Sequence, residues 1–299
     1  MGNFHRENTP SPPAKKRDLV PGRCYLHLHL SVHSKLLLFD FLCGYMYLCR
    51  AKKYRLSQKI KVAAVSYLNT KPLLYGIERS DVMNEMELVV DYPSQLARRL
   101  QDGSIDLALL PVAAMPGIPG ARIISDYGIG TDGHVVSVAL FSQVPMEEIK
   151  TVYLDYQSRT SVRLAQLLLE NHWKKKVEYR PASEHFIDYI NGANAGVIIG
   201  DRALQRLHNF EYVYDLSAAW KDYTGLDFIF AAWVANKDLP QGFIDRFNAA
   251  NAEGLKHLNE VIVENPFPYY DLHTYYTDNI KFVLDEEKKK GLAKFLSLI

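Results

Sequence analysis

The sequence predicts an α/β fold, and three observations carry that prediction. From Lys59 onward, short apolar runs of strand character alternate with amphipathic helical stretches. Ile105 to Val112 is almost continuously apolar, as in a strand buried on both faces of a parallel sheet. Two further apolar runs, Val135 to Phe141 and Ile229 to Val234, stand about ninety residues apart and enclose a self-contained βαβα set.

The elements follow in chain order. Ile60 to Val65 alternates with Lys59 and Lys61 and reads as the first strand. Glu87 to Asp91 reads as the second. Pro93 to Gln101 is a short amphipathic helix that stops at Asp102-Gly103. After the strand at 105–112, Gly117 to Gly120 with its prolines forms a loop. The enclosed set comprises strand 150–154, helix 158–170, strand 177–180, helix 184–190 and strand 195–200. Helical patterns occupy 241–263, 271–283 and 285–298. The runs Lys174-Lys175-Lys176 and Lys288-Lys289-Lys290 read as solvated helix ends.

The most informative stretch is Val65-Ser66-Tyr67-Leu68-Asn69-Thr70-Lys71-Pro72-Leu73. The first strand ends there on residue types that cap helices, and Pro72 fits a first helical turn. Polar side chains beside exposed helix N–H groups make a place to hold an anion, and a plain capped βα turn has the same signature. Ser158 follows the strand at 150–154 and opens the helix bearing Val162, Leu164, Leu167 and Leu168. Here too there are two readings. Either Ser158 only caps and Arg159 is solvated, or Ser158, Thr160 and Ser161 form an anion cradle with a carboxylate contact from Arg159. Gly200 permits close backbone approach at the end of strand 195–200, and Asp201 is expected chiefly to cap the helix starting at Arg202. Thr224-Gly225 precedes the return strand, where it can line a cleft. Of Trp220, Tyr223, Phe228, Phe230 and Trp233, most are expected in the core, with one or two facing a bound ligand.

The order of these segments resembles the chorismate dehydratase family of the futalosine route to menaquinone. The resemblance is carried by Ser66-Tyr67-Leu68-Asn69 with Pro72-Leu73, by Gly103-Ser104-Ile105-Asp106-Leu107-Ala108-Leu109-Leu110-Pro111-Val112, and by Leu154-Asp155-Tyr156-Gln157-Ser158-Arg159-Thr160-Ser161. It continues with Ile198-Ile199-Gly200-Asp201 and with Trp220 through Thr224-Gly225-Leu226 to Phe230-Ala231, covering about residues 59–299. Asp227 departs from a proline more frequent in the family, and His134-Val135-Val136-Ser137 is a variant of a Pro/Ala-Val-x-Ser/Thr segment.

The resemblance implies a two-lobed type II periplasmic-binding-protein-like fold with an interlobe cleft and two crossing hinge strands. Lobe one would be 59–141 plus 228–299, and lobe two 142–227. It implies a hydro-lyase that removes water from chorismate to give an aromatic enolpyruvyl-oxy benzoate. Asn69 and Ser137 match the family's catalytic Asn and Ser. Ser66, Tyr67, Thr70, Ser158, Arg159, Thr160, Ser161, Gly200, Asp201, Thr224 and Gly225 are expected to bind the substrate. Asn69 and Ser137 do not titrate near neutral pH, so they are cast as hydrogen-bond donors, with a carboxylate of the substrate as the implied base. His134 is the one histidine of this body to test as a base, against its reading as a plain loop histidine. No cofactor and no metal is expected: the body lacks cysteine, a His-Glu metal spacing and a Gly-rich phosphate loop.

Charge and cysteine usage set residues 1–58 apart. They hold ten Lys/Arg against three Asp/Glu, whereas the remaining residues hold 25 against 31, although the whole chain carries only +1. An acidic body offers no broad footprint for nucleic acid or membrane. The resemblance implies a small-molecule substrate and a cytoplasmic enzyme, and the absence of cysteine from the body fits a reducing compartment. Cys24, Cys43 and Cys49 all lie in the first 58 residues, as do His27, His29 and His33, whose spacing reads as accidental rather than metal-binding. The segment lacks the small-residue cleavage region of a signal peptide. Its apolar run Leu36 to Cys49 is short of the roughly 20 residues that a membrane anchor needs. The favoured expectation is a non-native or disordered extension, with the functional start near Lys59 and a chain beginning there able to fold and work.

Two other functions fit parts of the pattern. A non-enzymatic solute-binding protein would share the fold and would need export. The sister enzyme that makes dihydroxynaphthoate carries a Cys-Pro-Asn-Asp type motif where this chain has Tyr67-Leu68-Asn69-Thr70.

Overall fold

The computed structural model describes residues 59–90 and 93–299; the expectations for residues 1–58 lie outside the described residues. Strand β1 (Ile60–Ala64) pairs in parallel with β2 (Met86–Val90) and β3 (Leu107–Pro111), with Val62 opposite both Leu88 and Leu107. Leu107 to Leu110 are all buried, as a continuous apolar run on a central strand requires. Antiparallel to β3 runs β10 (Phe228–Ala235), which pairs on its other side with β4 (Arg122–Thr131). The short strand β11 (Lys281–Val283) closes the edge, giving the order β11-β4-β10-β3-β1-β2.

A second sheet of order β7-β6-β8-β5-β9 is built from β5 (Val138–Ser142), β6 (Thr151–Leu154), β7 (Glu178–Pro181), β8 (Asn194–Ile199) and β9 (Tyr212–Asp215). Strand β6 is parallel to β7 and β8, and β5 is antiparallel to β8 and β9. The apolar run expected to cross between lobes at 135–141 therefore belongs, from Val138, to the second sheet. The chain leaves the first sheet after Thr131 and returns to it at Phe228, so the crossings are the short stretches 132–137 and 225–227. From Val138 and throughout β10 these runs are strand interiors, because buried backbone groups need sheet partners.

Helix α1 (Lys71–Glu78) and helix α2 (Pro93–Gln101) follow β1 and β2, and helix α3 (Arg159–Asn171) follows β6. The one-turn α4 (Asp201–Leu204) follows β8, and α5 (Leu216–Thr224) follows β9. The pattern expected as one helix over 241–263 is two: α6 (Gln241–Gly254) and α7 (Leu258–Glu264). The single turn α8 (Leu272–Thr274) and the terminal α9 (Glu286–Leu296) complete the set. The expected helix at 271–283 is instead α8, a π-helical turn at Tyr275–Asn279, and β11. From Ile280 the buried positions alternate (Ile280, Phe282, Leu284), which is a strand period. The expected helix at 184–190 shrinks to a 3-10 turn, Phe186–Tyr189.

The second crossing is pinned from both sides. Asp227 accepts from Lys221 Nζ on α5, and Lys288 Nζ on α9 lies 3.9 Å away while donating to Asp285 at 2.6 Å. Lys288 is thus buried rather than part of a solvated run, whereas Lys289 and Lys290 are exposed and pair with Glu286 and Glu287. An acid at 227 gives these two lysines a shared partner that a proline would not.

Helices α1 and α6 cross with backbone against backbone. A Cβ on Gly254 would fall on the carbonyl oxygen of Pro72, and one on Gly76 on that of Ala250. Gly254→Ala is therefore expected to force the helices apart and cost about 2–3 kcal/mol, read as a lower urea midpoint. An unchanged midpoint would mean that the crossing has slack.

Candidate active site

Asn69 owes its place to the turn between β1 and α1. Tyr67 N–H donates to Thr70 Oγ1 at 3.2 Å, and Thr70 Oγ1 donates back to Tyr67 O at 2.9 Å, closing the 3-10 turn Leu68–Thr70. Thr70 is spent in this capping box and is fully buried. Pro72 follows in the first turn of α1. The anion expected at this helix entrance is supplied by the protein itself: Leu68 N–H donates to Asp201 Oδ1 at 3.0 Å. Asp201 therefore does not cap the helix at Arg202; it holds the turn that carries Asn69. Burial raises its carboxyl pKa, while the Leu68 N–H and Lys71 pull it down. Ser66 is exposed and accepts from Lys71 Nζ at 2.9 Å.

Between the two sheets lies a cleft of about 600 Å³, its open mouth included. Its polar lining is Tyr67, Asn69, Ser137, Gln157, Ser158 and Ser161; Gly200, Phe230, Ile129 and Val138 are among the apolar contributors. No Asp, Glu, Lys, Arg or His is among the described residues that line it. The amide nitrogen of Asn69 has no protein acceptor among the described residues, so it is free to donate into the cavity.

Across the cavity, Ser158 Oγ accepts from Ser161 N–H at 3.1 Å and donates to Ser161 Oγ at 2.8 Å. Capping and lining are combined here: Ser158 and Ser161, at the start of the thirteen-residue α3, both line the cavity. Arg159 is exposed and Thr160 is buried, receiving Ala113 N–H at 3.2 Å; neither lines the cavity.

Several bonds tie the two sides together. Tyr67 OH donates to Gln157 Oε1 at 2.7 Å, and burial raises the tyrosine to about 12. Gln157 N–H donates to Asp155, which is buried and paired with Arg202 at 2.7 and 2.9 Å. Burial lifts the Asp155 carboxyl pKa against the pull of that guanidinium. Gly200, at φ 62, carries the ring of Tyr67 over it, 3.5 Å from where a Cβ would stand.

Ser137 sits on the first crossing. Its N–H donates to Val135 O at 2.6 Å around Val136, which has φ 54, a strained γ-turn for a β-branched residue. Asp215 secures it, with Oδ2 accepting from Val135 and Val136 N–H at 3.0 and 2.7 Å and Oδ1 accepting from Ser217 and Ala218 at the start of α5. His134 is mostly exposed and lies on the opposite face of this crossing, 3.8 Å from Asp215.

Thr224 and Gly225 do not line the cavity. Thr224 Oγ1 bonds Trp220 O at 2.8 Å, and Gly225 at φ 74 ends α5 as its left-handed cap. Trp220, Phe228 and Trp233 are core, Phe230 lines the cavity, and Tyr223 is exposed. Tyr275, Asp215 and Gln157 were not among the expected site residues. Only Gln157 had a signal in sequence, its place just before the Ser158 cap.

A family model described as menaquinone biosynthesis matches residues 60–299. The chain belongs to the menaquinone-biosynthesis family. A Thermus thermophilus relative named chorismate dehydratase is 26% identical over 255 residues, covering 77% of this chain and 91% of the relative. A solved structure from Archaeoglobus fulgidus matches with TM-score 0.66 at 16% identity, over 81% of this chain and 97% of that one. A Candida albicans protein described as having the generic periplasmic binding protein fold matches at TM-score 0.57 and 12% identity, over 81% and 91%. These likenesses give this member of the menaquinone-biosynthesis family the two-lobed α/β fold with its cleft between lobes. Among its described residues, no helix is long and apolar enough to cross a membrane, and no three His, Cys, Asp or Glu converge as a metal site would need.

Proposed function

We propose that this chain is a chorismate dehydratase, a hydro-lyase acting in the cytoplasm on chorismate as its small-molecule substrate. The observation that carries the reading is the cavity lined by neutral donors and a helix N-terminus in a chain of the menaquinone-biosynthesis family, with a chorismate dehydratase among its relatives. Chorismate loses a ring proton and its hydroxyl as water, leaving 3-[(1-carboxyvinyl)oxy]benzoate. Negative charge grows on the ring carboxylate as the C–H bond breaks, and on the hydroxyl oxygen as it leaves. Aromatisation drives the step. Fixed donors aimed at these oxygens stabilise the transition state without reorganising. Asn69 and Ser137 serve as those donors, and the Ser158–Ser161 cradle at the start of α3 holds a carboxylate.

The acceptor of the ring proton is assigned to a carboxylate of the substrate. Tyr67 is the only titratable side chain among the described lining residues, and at about 12 it stays protonated near neutral pH. His134→Ala is accordingly expected to keep turnover within about tenfold, since loss of a general base costs about a hundredfold or more. A dead His134→Ala with normal folding would put a histidine base back into the mechanism.

The direct test is incubation of the full chain with chorismate, with detection by mass and absorbance of an aromatic product lighter by one water. Turnover should survive exhaustive chelation and dialysis, since no cofactor is invoked. Chorismate binding without turnover would favour a solute-binding role, and neither binding nor turnover would remove chorismate from consideration.

A further inference from the structure

Ser137 Oγ lies 2.8 Å from the hydroxyl of Tyr275 in a contact that is buried on both sides. Either hydroxyl can donate in principle, but the phenol is much the stronger acid and makes the better donor. With Tyr275 donating, a lone pair of Ser137 is occupied, and its proton has the cavity as the direction left open to it. A serine in this state gives a hydrogen bond to a substrate oxygen.

Tyr275 is suited to this by where it stands. It opens the π-helical turn Tyr275–Asn279, closed by Ile280 N–H donating to Tyr275 O at 3.0 Å. Such turns re-aim side chains and recur at functional sites. The far end of the same turn also grips the first crossing, with Asn279 Nδ2 donating to His134 O at 3.3 Å and Tyr270 OH donating to Asn279 Oδ1 at 3.0 Å. The ring of Tyr275 is fully buried against Tyr270 and Tyr276, so its hydroxyl has little freedom to leave Ser137. Burial also raises its pKa, keeping the phenol protonated. The backbone of Ser137 is held independently by Val135 O and by Gly200 N–H, the latter at 2.7 Å to Ser137 O. Loss of the tyrosine hydroxyl therefore releases the serine side chain without releasing its backbone.

We infer that Tyr275 is a positioning residue that holds Ser137 as a one-way hydrogen-bond donor toward the oxygen on which charge develops. The inference rests on the dehydratase reading for the identity of that oxygen, and on the geometry alone for the orientation of Ser137.

The test is a double-mutant cycle on chorismate turnover joined to a crystal structure. Tyr275→Phe keeps the ring and removes the hydroxyl. It is expected to lower kcat about tenfold or more while KM stays within about twofold, because the lost orientation matters most where charge develops. In a Ser137→Ala background the same change should have no further effect beyond about twofold, since the serine it orients is absent. Losses that multiply instead would show a separate structural role and overturn the inference. In the crystal structure of Tyr275→Phe, the Ser137 side chain should leave its wild-type rotamer, and retention of that rotamer overturns the inference whatever the substrate. A wild-type chain inert toward chorismate sinks the dehydratase reading and leaves the rotamer to decide the role of Tyr275.

Discussion

Asn69→Ala is expected to slow chorismate turnover roughly a hundred- to thousandfold, the usual cost of about 3–4 kcal/mol for losing one preorganised donor. The side-chain amide faces the cavity from a turn that is held at both ends, by the Tyr67–Thr70 box and by Asp201 on Leu68 N–H. Such a donor does not have to be reoriented as the reaction proceeds. Asn69→Asp keeps the size and replaces the donor with an anion facing a dianionic substrate, so it should lose affinity as well as rate. The two substitutions separate the roles: alanine should act mainly on kcat, and aspartate on kcat and KM together. Asn69→Ala with wild-type kinetics would mean that the amide does not meet a reacting oxygen, and the site would have to be rebuilt around Ser137 alone.

Asp215→Ala is expected to cost about 4 kcal/mol of stability, measured by urea unfolding of the full chain. The carboxylate receives four backbone N–H groups, two at the start of α5 and two in the first crossing. Losing a helix cap costs about 1 kcal/mol, and each buried donor left unpaired about 1–3. The crossing donors are those of Val135 and Val136, and Val136 is held at φ 54, a conformation that persists only while its surroundings enforce it. Turnover should fall more than the population of unfolded protein explains, because Ser137 follows directly. Asp215→Asn is the finer probe, since one oxygen can still cap α5 while the amide NH₂ opposes the N–H groups of the crossing. A stability of Asp215→Ala within about 1 kcal/mol of wild type would show that water replaces the carboxylate and that the turn is not strained.

Much of the site was legible before the fold. The polar end of β1, Pro72 in the first turn of α1 and Ser158 at the start of α3 are local signals, because caps and turns are made by residues within four positions of one another. Ser66, Arg159, Thr160, Thr224 and Gly225 carry the same residue chemistry, yet they are turned to solvent or spent on the backbone. Residue type alone does not say which way a side chain points. Strand β4 has no strand signature in the sequence because Ser125, Asp126, Gly128 and Gly130 break its apolar pattern. Its place between β10 and β11 supplies the backbone partners that its own pattern does not announce.

By itself the sequence determined the α/β class, the buried β3, the turn presenting Asn69 and the cap of α3, since each depends on periodicity or on neighbours along the chain. The tertiary structure alone decided that Asp201 serves Leu68 from 133 residues away, that Tyr275 meets Ser137 across 138, and that Asp215 secures the crossing across 79 and 80. It also decided that the first crossing precedes β5 rather than following it. Contacts over such separations leave no periodic trace. They arise only when burial of two sheets fixes where each strand ends, and a hydrogen bond falls off within a fraction of an ångström of that placement.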